Sequence, residues 1–212
     1  MFVFDLDGTL VDSQRDIADS ANAVLEACGA APLSESAIAG MVGEGAALLM
    51  ARAFAAANCP RPPDLLERFL QAYHDRLLRF TRPYPGINAL LDALSARGTL
   101  AVLTNKPLGA TRTILEGCCL SAHFEDRVLG GDGPLPRKPD PSGLVSLMDR
   151  TGTPPDRTLM IGDSVVDLRT ARKAGTRACV ARYGFGFSGI PADELRDDDL
   201  VIDHPLDLAT TL

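Results

Sequence analysis

Three features are scarce in this sequence of 212 residues. No apolar run approaches the ~20 residues that span a bilayer, so no membrane partner is expected. No stripe of Lys and Arg occurs: 21 basic residues face 28 acidic ones, for a net charge of -7 and a sequence pI of about 4.9. That balance argues against nucleic acid as a partner, and it is ordinary for a soluble cytoplasmic protein. Cysteine is the third. Cys28, Cys59, Cys118, Cys119 and Cys179 are odd in number, and their spacing matches neither a disulfide framework nor a zinc site. Reduced thiols in the cytoplasm are the expectation. No basic leader precedes the first apolar run, which begins at Phe2, so no signal peptide is expected. Repeats and low-complexity segments are lacking too, and no pattern sets an oligomeric state. What remains is globular in character: 46% apolar and 23% charged residues exclude disordered and collagen-like classes.

Along the chain, residues 2–6 read as a buried strand. Ser13 offers a helix N-cap with Asp16 three positions on, and the helix that follows should close at Gly29. Residues 45–58 are alanine-rich and helical, and "CPRPP" breaks the chain. Leu65, Leu66, Phe69, Leu70, Tyr73, Leu77 and Phe80 then recur at steps of three and four, one apolar helix face. After "RPYPG" the pattern changes. Helices at 86–97, 109–117, 141–151 and 165–174 alternate with strands at 99–104, 127–130, 158–162, 177–181 and 200–202. Strands that are apolar throughout and alternate with helices make a parallel sheet covered on both faces. The predicted fold is α/β, a doubly wound, Rossmann-like sheet. Residues 1–13 and 82–212 form its core, and residues 14–81 form an inserted all-helical cap over the strand ends.

Ligands of open parallel sheets bind at the carboxyl ends of the strands. There the first strand delivers Asp5 and Asp7, the second Thr104, Asn105 and Lys106, and a later one Asp163, with Asp167 one helical turn on; Lys138 stands in "LPRKPDP". Taken singly, each has a plain structural explanation. "DxD" arises by chance, a lone lysine is usually solvated, and Asp163 suits a helix N-cap. Four strand ends delivering such groups in order are a different matter. Carboxylates brought together repel unless a hard divalent cation offsets them, and oxygen ligands suit Mg²⁺. Asp5, Asp163 and one main-chain carbonyl are candidate ligands. Gly8 turns the chain sharply, so Asp7 is free for another task. Such a site is arranged for phosphoryl transfer. An aspartate serves as nucleophile, Lys138 and the metal offset charge, and Asp7 protonates the leaving group and then activates water. Thr104, with Asn105 and nearby main-chain N–H groups, is placed to hold phosphate oxygens.

The stretches "DLDGTLVDS", "LTNK", "RKPDP" and "IGDSVVD" resemble the four signature motifs of the haloacid dehalogenase-like hydrolases. That resemblance implies Asp5 as the nucleophile, Asp7 as acid/base, and Thr104 and Lys138 as phosphate-binding residues. It implies Mg²⁺ held by Asp5, the Asp7 carbonyl and Asp163, with Asp167 as a support or ligand. An aspartate at position 7 favours phosphate-ester hydrolysis within the family. The helical insertion, "MVGEGAALLMARAF", "GGDGPLPRKPDP" and "RYGF" are similar to the subgroup that includes phosphoglycolate phosphatase. The expected substrate is therefore a small anionic phosphate ester, 2-phosphoglycolate first. Gly43 and Gly45, from their position in the inserted loop, are candidates to let main-chain N–H groups approach its carboxylate. A sugar phosphomutase or broad-range phosphatase is the alternative enzyme, and a receiver-like phospho-acceptor module the non-enzymatic one.

Overall fold

The computed structural model describes residues 1–211. Six parallel strands form the sheet: β1 (Phe2–Phe4), β4 (Leu100–Leu103), β5 (Val128–Leu129), β6 (Leu159–Gly162), β7 (Arg177–Ala181) and β8 (Leu200–Ile202). Their spatial order is β5-β4-β1-β6-β7-β8. The winding thus runs outward from β1 in both directions, and β1 lies at the point where strand order reverses. That is where a doubly wound sheet opens a crevice.

Side chains alternate across the sheet because the strand period is two. Val3, Ala101, Leu103, Met160 and Val180 are buried against α7 (Ser142–Thr151) and α8 (Val165–Ala174) through Leu144, Leu147 and Leu168. Phe4, Val102, Ile161 and Cys179 are buried on the opposite face. There α5 (Ile87–Ser95), α6 (Leu108–Gly117) and α9 (Pro205–Thr211) supply Leu90, Leu91, Leu94, Ile114 and Leu208.

Between β1 and α5 lie four helices: α1 (Gln14–Ala27), α2 (Glu35–Ala39), α3 (Ala46–Ala56) and α4 (Leu65–His74). α1 packs on α2 and α4, and α3 on α4. Ile17, Ala21, Leu25, Met50, Phe54 and Phe69 are among the residues buried in these helices. α1 ends as expected: Gly29 has φ 78°, and the Ala30 N–H donates to the Leu25 carbonyl.

Several expectations need correction. The first strand ends at Phe4, so Asp5 stands beyond it, although the Asp5 N–H still donates to the Ile161 carbonyl at 2.8 Å. Ser13 does not cap α1. Its hydroxyl donates to Asp7 instead, and Asp16 binds the far end of the insertion. Nor does Asp163 cap α8. Ser164 does, in a reciprocal capping box with Asp167. Several elements had no individual sequence counterpart: the short antiparallel pair of β2 (Val11–Asp12) with β3 (Arg82–Pro83), the helix α2 within the insertion, and the terminal helix α9.

Candidate active site

After β1 the chain turns within four residues. The Gly8 N–H donates to Val11 O, and the N–H groups of Leu10 and Val11 both reach Leu6 O. Gly8 has φ 82°, and a Cβ there would collide with the Asp163 carboxylate. This tight passage brings the end of β1 against the end of β6.

Asp5, Asp163 and Asp167 are buried, and each offers a carboxylate oxygen within 4.8 Å of the other two. Among the described residues it is the only group of this kind. Lys138 is buried beside it, with Nζ 2.9 Å from Asp5 Oδ1 and donating to Asp167 Oδ1 at 2.6 Å. The Leu6 N–H also donates to Asp5 Oδ1, which leaves Oδ2 uncommitted in a residue that lines a cavity. Gly186 N–H donates to Asp163 Oδ2 at 2.7 Å.

The electrostatics are those of an undercompensated anionic cluster. Burial lifts the Asp5 carboxyl from 3.8 to about 6, against the opposing pull of Lys138 and with repulsion from Asp167 and Asp7. Burial, then Asp167 and Asp5, push Asp163 well above the carboxylate range. For Lys138, burial works to lower the ammonium, but Asp167 and Asp5 overcome it and hold it above the ordinary lysine value. One lysine among three buried carboxylates leaves excess negative charge. An oxygen-only donor set of this charge fits a hard divalent cation such as Mg²⁺.

Asp7 has different partners. Its carboxylate accepts from Ser13 Oγ at 2.5 Å and from Lys106 Nζ at 2.7 Å to both oxygens. Thr104 follows β4, with its hydroxyl accepting the Lys106 N–H. Asn105 spans two loops: its Nδ2 donates to Gly43 O at 2.8 Å and to Lys138 O at 2.9 Å. Its buried Oδ1, like Thr9 Oγ1, has no protein partner.

One cavity gathers most of these groups. Asp5, Asp7, Thr104, Asn105, Lys106, Asp163 and Gly186 form its floor, and Ile17, Val42, Gly43, Gly45, Leu49, Phe69, Tyr73 and Phe185 close over it. All the expected site residues therefore converge, with one distinction. Lys138 and Asp167 stand behind Asp5 and do not line the cavity. Arg137, beside Lys138 in the same loop, is exposed, and its Nε donates to Gly131 O. Sequence reasoning missed Ser13 and Tyr73 as polar partners of the site. Tyr73 sits at an apolar position of the α4 face, and nothing in periodicity marks its hydroxyl.

The sequence pattern of the haloacid dehalogenase-like hydrolases matches residues 2–181. Over 192 residues the chain is 47% identical to a phosphoglycolate phosphatase of Rhodospirillum rubrum, covering 86% of this chain and 79% of that one. It is 34% identical to an N-acetylmuramic acid 6-phosphate phosphatase of Pseudomonas aeruginosa, covering 99% and 93% of the two chains. The crystal structure of a predicted phosphoglycolate phosphatase from Haemophilus somnus superposes with a TM-score of 0.90 at 31% identity, covering 100% of this chain and 96% of that one. The turn after β1, the strand-end carboxylates and these matches agree, and the chain belongs to the haloacid dehalogenase-like hydrolases.

Proposed function

We propose that this chain is a Mg²⁺-dependent phosphatase of small phosphate monoesters, with 2-phosphoglycolate as its preferred substrate. The observation that carries this reading is the placement of Asp5, Asp163 and Asp167 within 4.8 Å, with Asp5 and Asp7 facing one cavity. Residues 1–13 and 82–212 act as the catalytic core and residues 14–81 as its cap. The side chains of Asp5 and Asp163 and the Asp7 carbonyl would hold the ion, and Asp167 would support it. When bound, the ion offsets the negative charge on the phosphoryl oxygens.

Asp5 Oδ2, the uncommitted oxygen, attacks phosphorus, and the bond from phosphorus to the ester oxygen breaks. Asp7 gives its proton to the departing alkoxide. Asp7 then removes a proton from water, whose oxygen attacks phosphorus, and the bond to Asp5 breaks to release inorganic phosphate. Lys138 orients Asp5 and offsets its charge, while Thr104 and Asn105 hold phosphoryl oxygens. Gly43 and Gly45 present main-chain N–H groups to the substrate's carboxylate, and the apolar wall from α1, α3 and α4 keeps bulk water out.

Phosphate release from a panel of esters with Mg²⁺ tests this. The expectation is the highest kcat/KM on 2-phosphoglycolate. Equal turnover of a nucleotide, a hexose phosphate and 2-phosphoglycolate overturns the substrate assignment in favour of a broad-range phosphatase. The Pseudomonas relative makes N-acetylmuramic acid 6-phosphate a necessary member of the panel. Isomerised sugar phosphate in place of free phosphate would indicate a mutase. No helix among the described residues is long and apolar enough to cross a membrane, and all five cysteines are free thiols. The thiols support a reducing compartment, and the cytoplasm is the proposed location.

A further inference from the structure

Lys106 is buried, yet none of its charge goes to the carboxylate cluster. Its three ammonium protons match three acceptors, each at 2.7 Å: both oxygens of Asp7, and the hydroxyl of Tyr73. Tyr73 belongs to α4, in the insertion. Among the described residues, this is the only hydrogen bond between α4 and the residues at the strand ends. The contact is rigid on both sides. The Tyr73 ring is stacked on Phe69 with centroids 5.7 Å apart and planes within 9°, and Lys106 Nζ lies 4.6 Å from its centre. Lys106 itself is fixed by its main chain, whose N–H meets Thr104 Oγ1 and whose carbonyl accepts Gly131 N–H.

We infer that Lys106 is a positioning residue for Asp7, and that Tyr73 makes the position of Lys106 depend on the seating of α4. A buried ammonium with all its protons engaged has one orientation. Withdrawing α4 removes one of the three acceptors, and the Asp7 carboxylate is then held by a lysine free to turn. The proton-transfer group is thus aligned only while the insertion covers the cavity. This rests on the proposed phosphatase mechanism, in which Asp7 handles both protons.

The test compares Lys106→Met and Tyr73→Phe with the wild type on two esters, 2-phosphoglycolate and p-nitrophenyl phosphate. A nitrophenolate leaving group needs no proton, so its release reports attack by Asp5 alone. In Lys106→Met, the first turnover of the aryl ester should stay within about 3-fold of wild type. The following steady state, which needs Asp7 as base, should slow roughly 100-fold, and so should the first turnover of 2-phosphoglycolate. Tyr73→Phe, which keeps the ring and its stacking, should show the same split at about 5-fold. For 2-phosphoglycolate KM should change less than kcat, whereas for the aryl ester kcat/KM, which reports attack by Asp5, should stay near wild type, so that its KM falls with kcat. A purely structural role would slow first turnover and steady state by a common factor, and that result overturns the inference. A wild-type profile in Tyr73→Phe overturns the dependence on α4. If Lys106→Met fails to fold by its melting curve, Tyr73→Phe decides alone. A wild type that releases phosphate from neither ester overturns the phosphatase reading itself. An active wild type with unsplit variants overturns only this inference.

Discussion

The carboxylate of Asp16, the third residue of α1, accepts the main-chain N–H and the hydroxyl of Thr81, each at 2.8 Å, across 65 positions of sequence. The Phe80 N–H donates to the same group. Asp16 and Thr81 are both fully buried. The chain that leaves the sheet after β1 is thus tied to the chain that returns before α5, beside the β2–β3 pair. Removing the carboxylate strands three donors, two of them in the buried Thr81. Asp16→Ala should cost about 3 kcal/mol of stability, read as a lowered urea midpoint. Asp16→Asn keeps one acceptor oxygen and should cost about half as much. A midpoint unchanged in Asp16→Ala would show that the tie does not hold the insertion to the sheet.

The two aspartates of the first turn are proposed to do separate work, and their variants should fail differently. Asp5→Asn replaces the attacking oxygen with an amide that is no nucleophile. Turnover should fall by roughly 10⁴-fold or more, with no phosphorus on the protein. Asp7→Ala leaves Asp5 in place and removes the proton donor and base. It should fall by roughly 10²–10⁴-fold, and rapid quench after mixing with an aryl phosphate should show a phosphorylated chain by intact mass. Full activity in Asp5→Asn would remove the mechanism.

The metal prediction follows from the charge of the cluster. Chelation by EDTA should abolish turnover, and Mg²⁺ should restore it. The ion should also stabilise the fold, by roughly 5–10 °C in Tm at a hundredfold excess over Kd. The metal-free protein supplies a pH signature. Burial raises Asp5 from 3.8 to about 6. The unfolded chain loses that proton near the lower value and the folded chain near the higher one. Between them the folded state binds more protons, so this group's contribution to stability falls as pH rises. Asn cannot ionise. The Tm of Asp5→Asn minus that of wild type should therefore climb from pH 4 to pH 6 and level off above. A flat difference would place Asp5 outside the buried cluster.

Much of this was legible in the sequence because strand ends and helix starts are local events. The run "FVFD" must leave a buried strand at a charge, and "IGDSVVD" must leave another. A parallel sheet brings such ends to one edge whatever the loops do. The helix at 165–174 and the strands at 177–181 and 200–202 agree with the structure residue by residue. What escaped depends on contacts between distant segments. Ser13 has the residue type of an N-cap, but the tertiary partner Asp7 claims its hydroxyl. Asp16, three positions after Ser13, looks like the second half of that cap until the return of the chain places Phe80 and Thr81 against it. Tyr73 was visible only as part of an apolar stripe, since a tyrosine ring packs like any other. The two-residue strands β2 and β3 are too short to leave a periodic pattern at all.

Gly8 offers a last prediction that separates backbone strain from damage to the site. Its φ of +82° and that of Gly29, +78°, both lie where a side chain is unfavourable. Alanine at either position should cost about 1 kcal/mol through the backbone alone. Space differs between them. A Cβ on Gly29 meets nothing within 4 Å, whereas a Cβ on Gly8 falls on the Asp163 carboxylate. Asp163 is held where it is: the Gly186 N–H binds its carboxylate, and Gly184 lies close against it. Gly29→Ala should therefore lower Tm slightly and leave kcat and Mg²⁺ affinity unchanged. Gly8→Ala should lose roughly 100-fold or more in turnover and weaken Mg²⁺ binding in titration calorimetry, because the carboxylate must leave its place beside Asp5. Equal effects at the two positions would mean that strain, and not the approach of β1 to β6, explains the glycine.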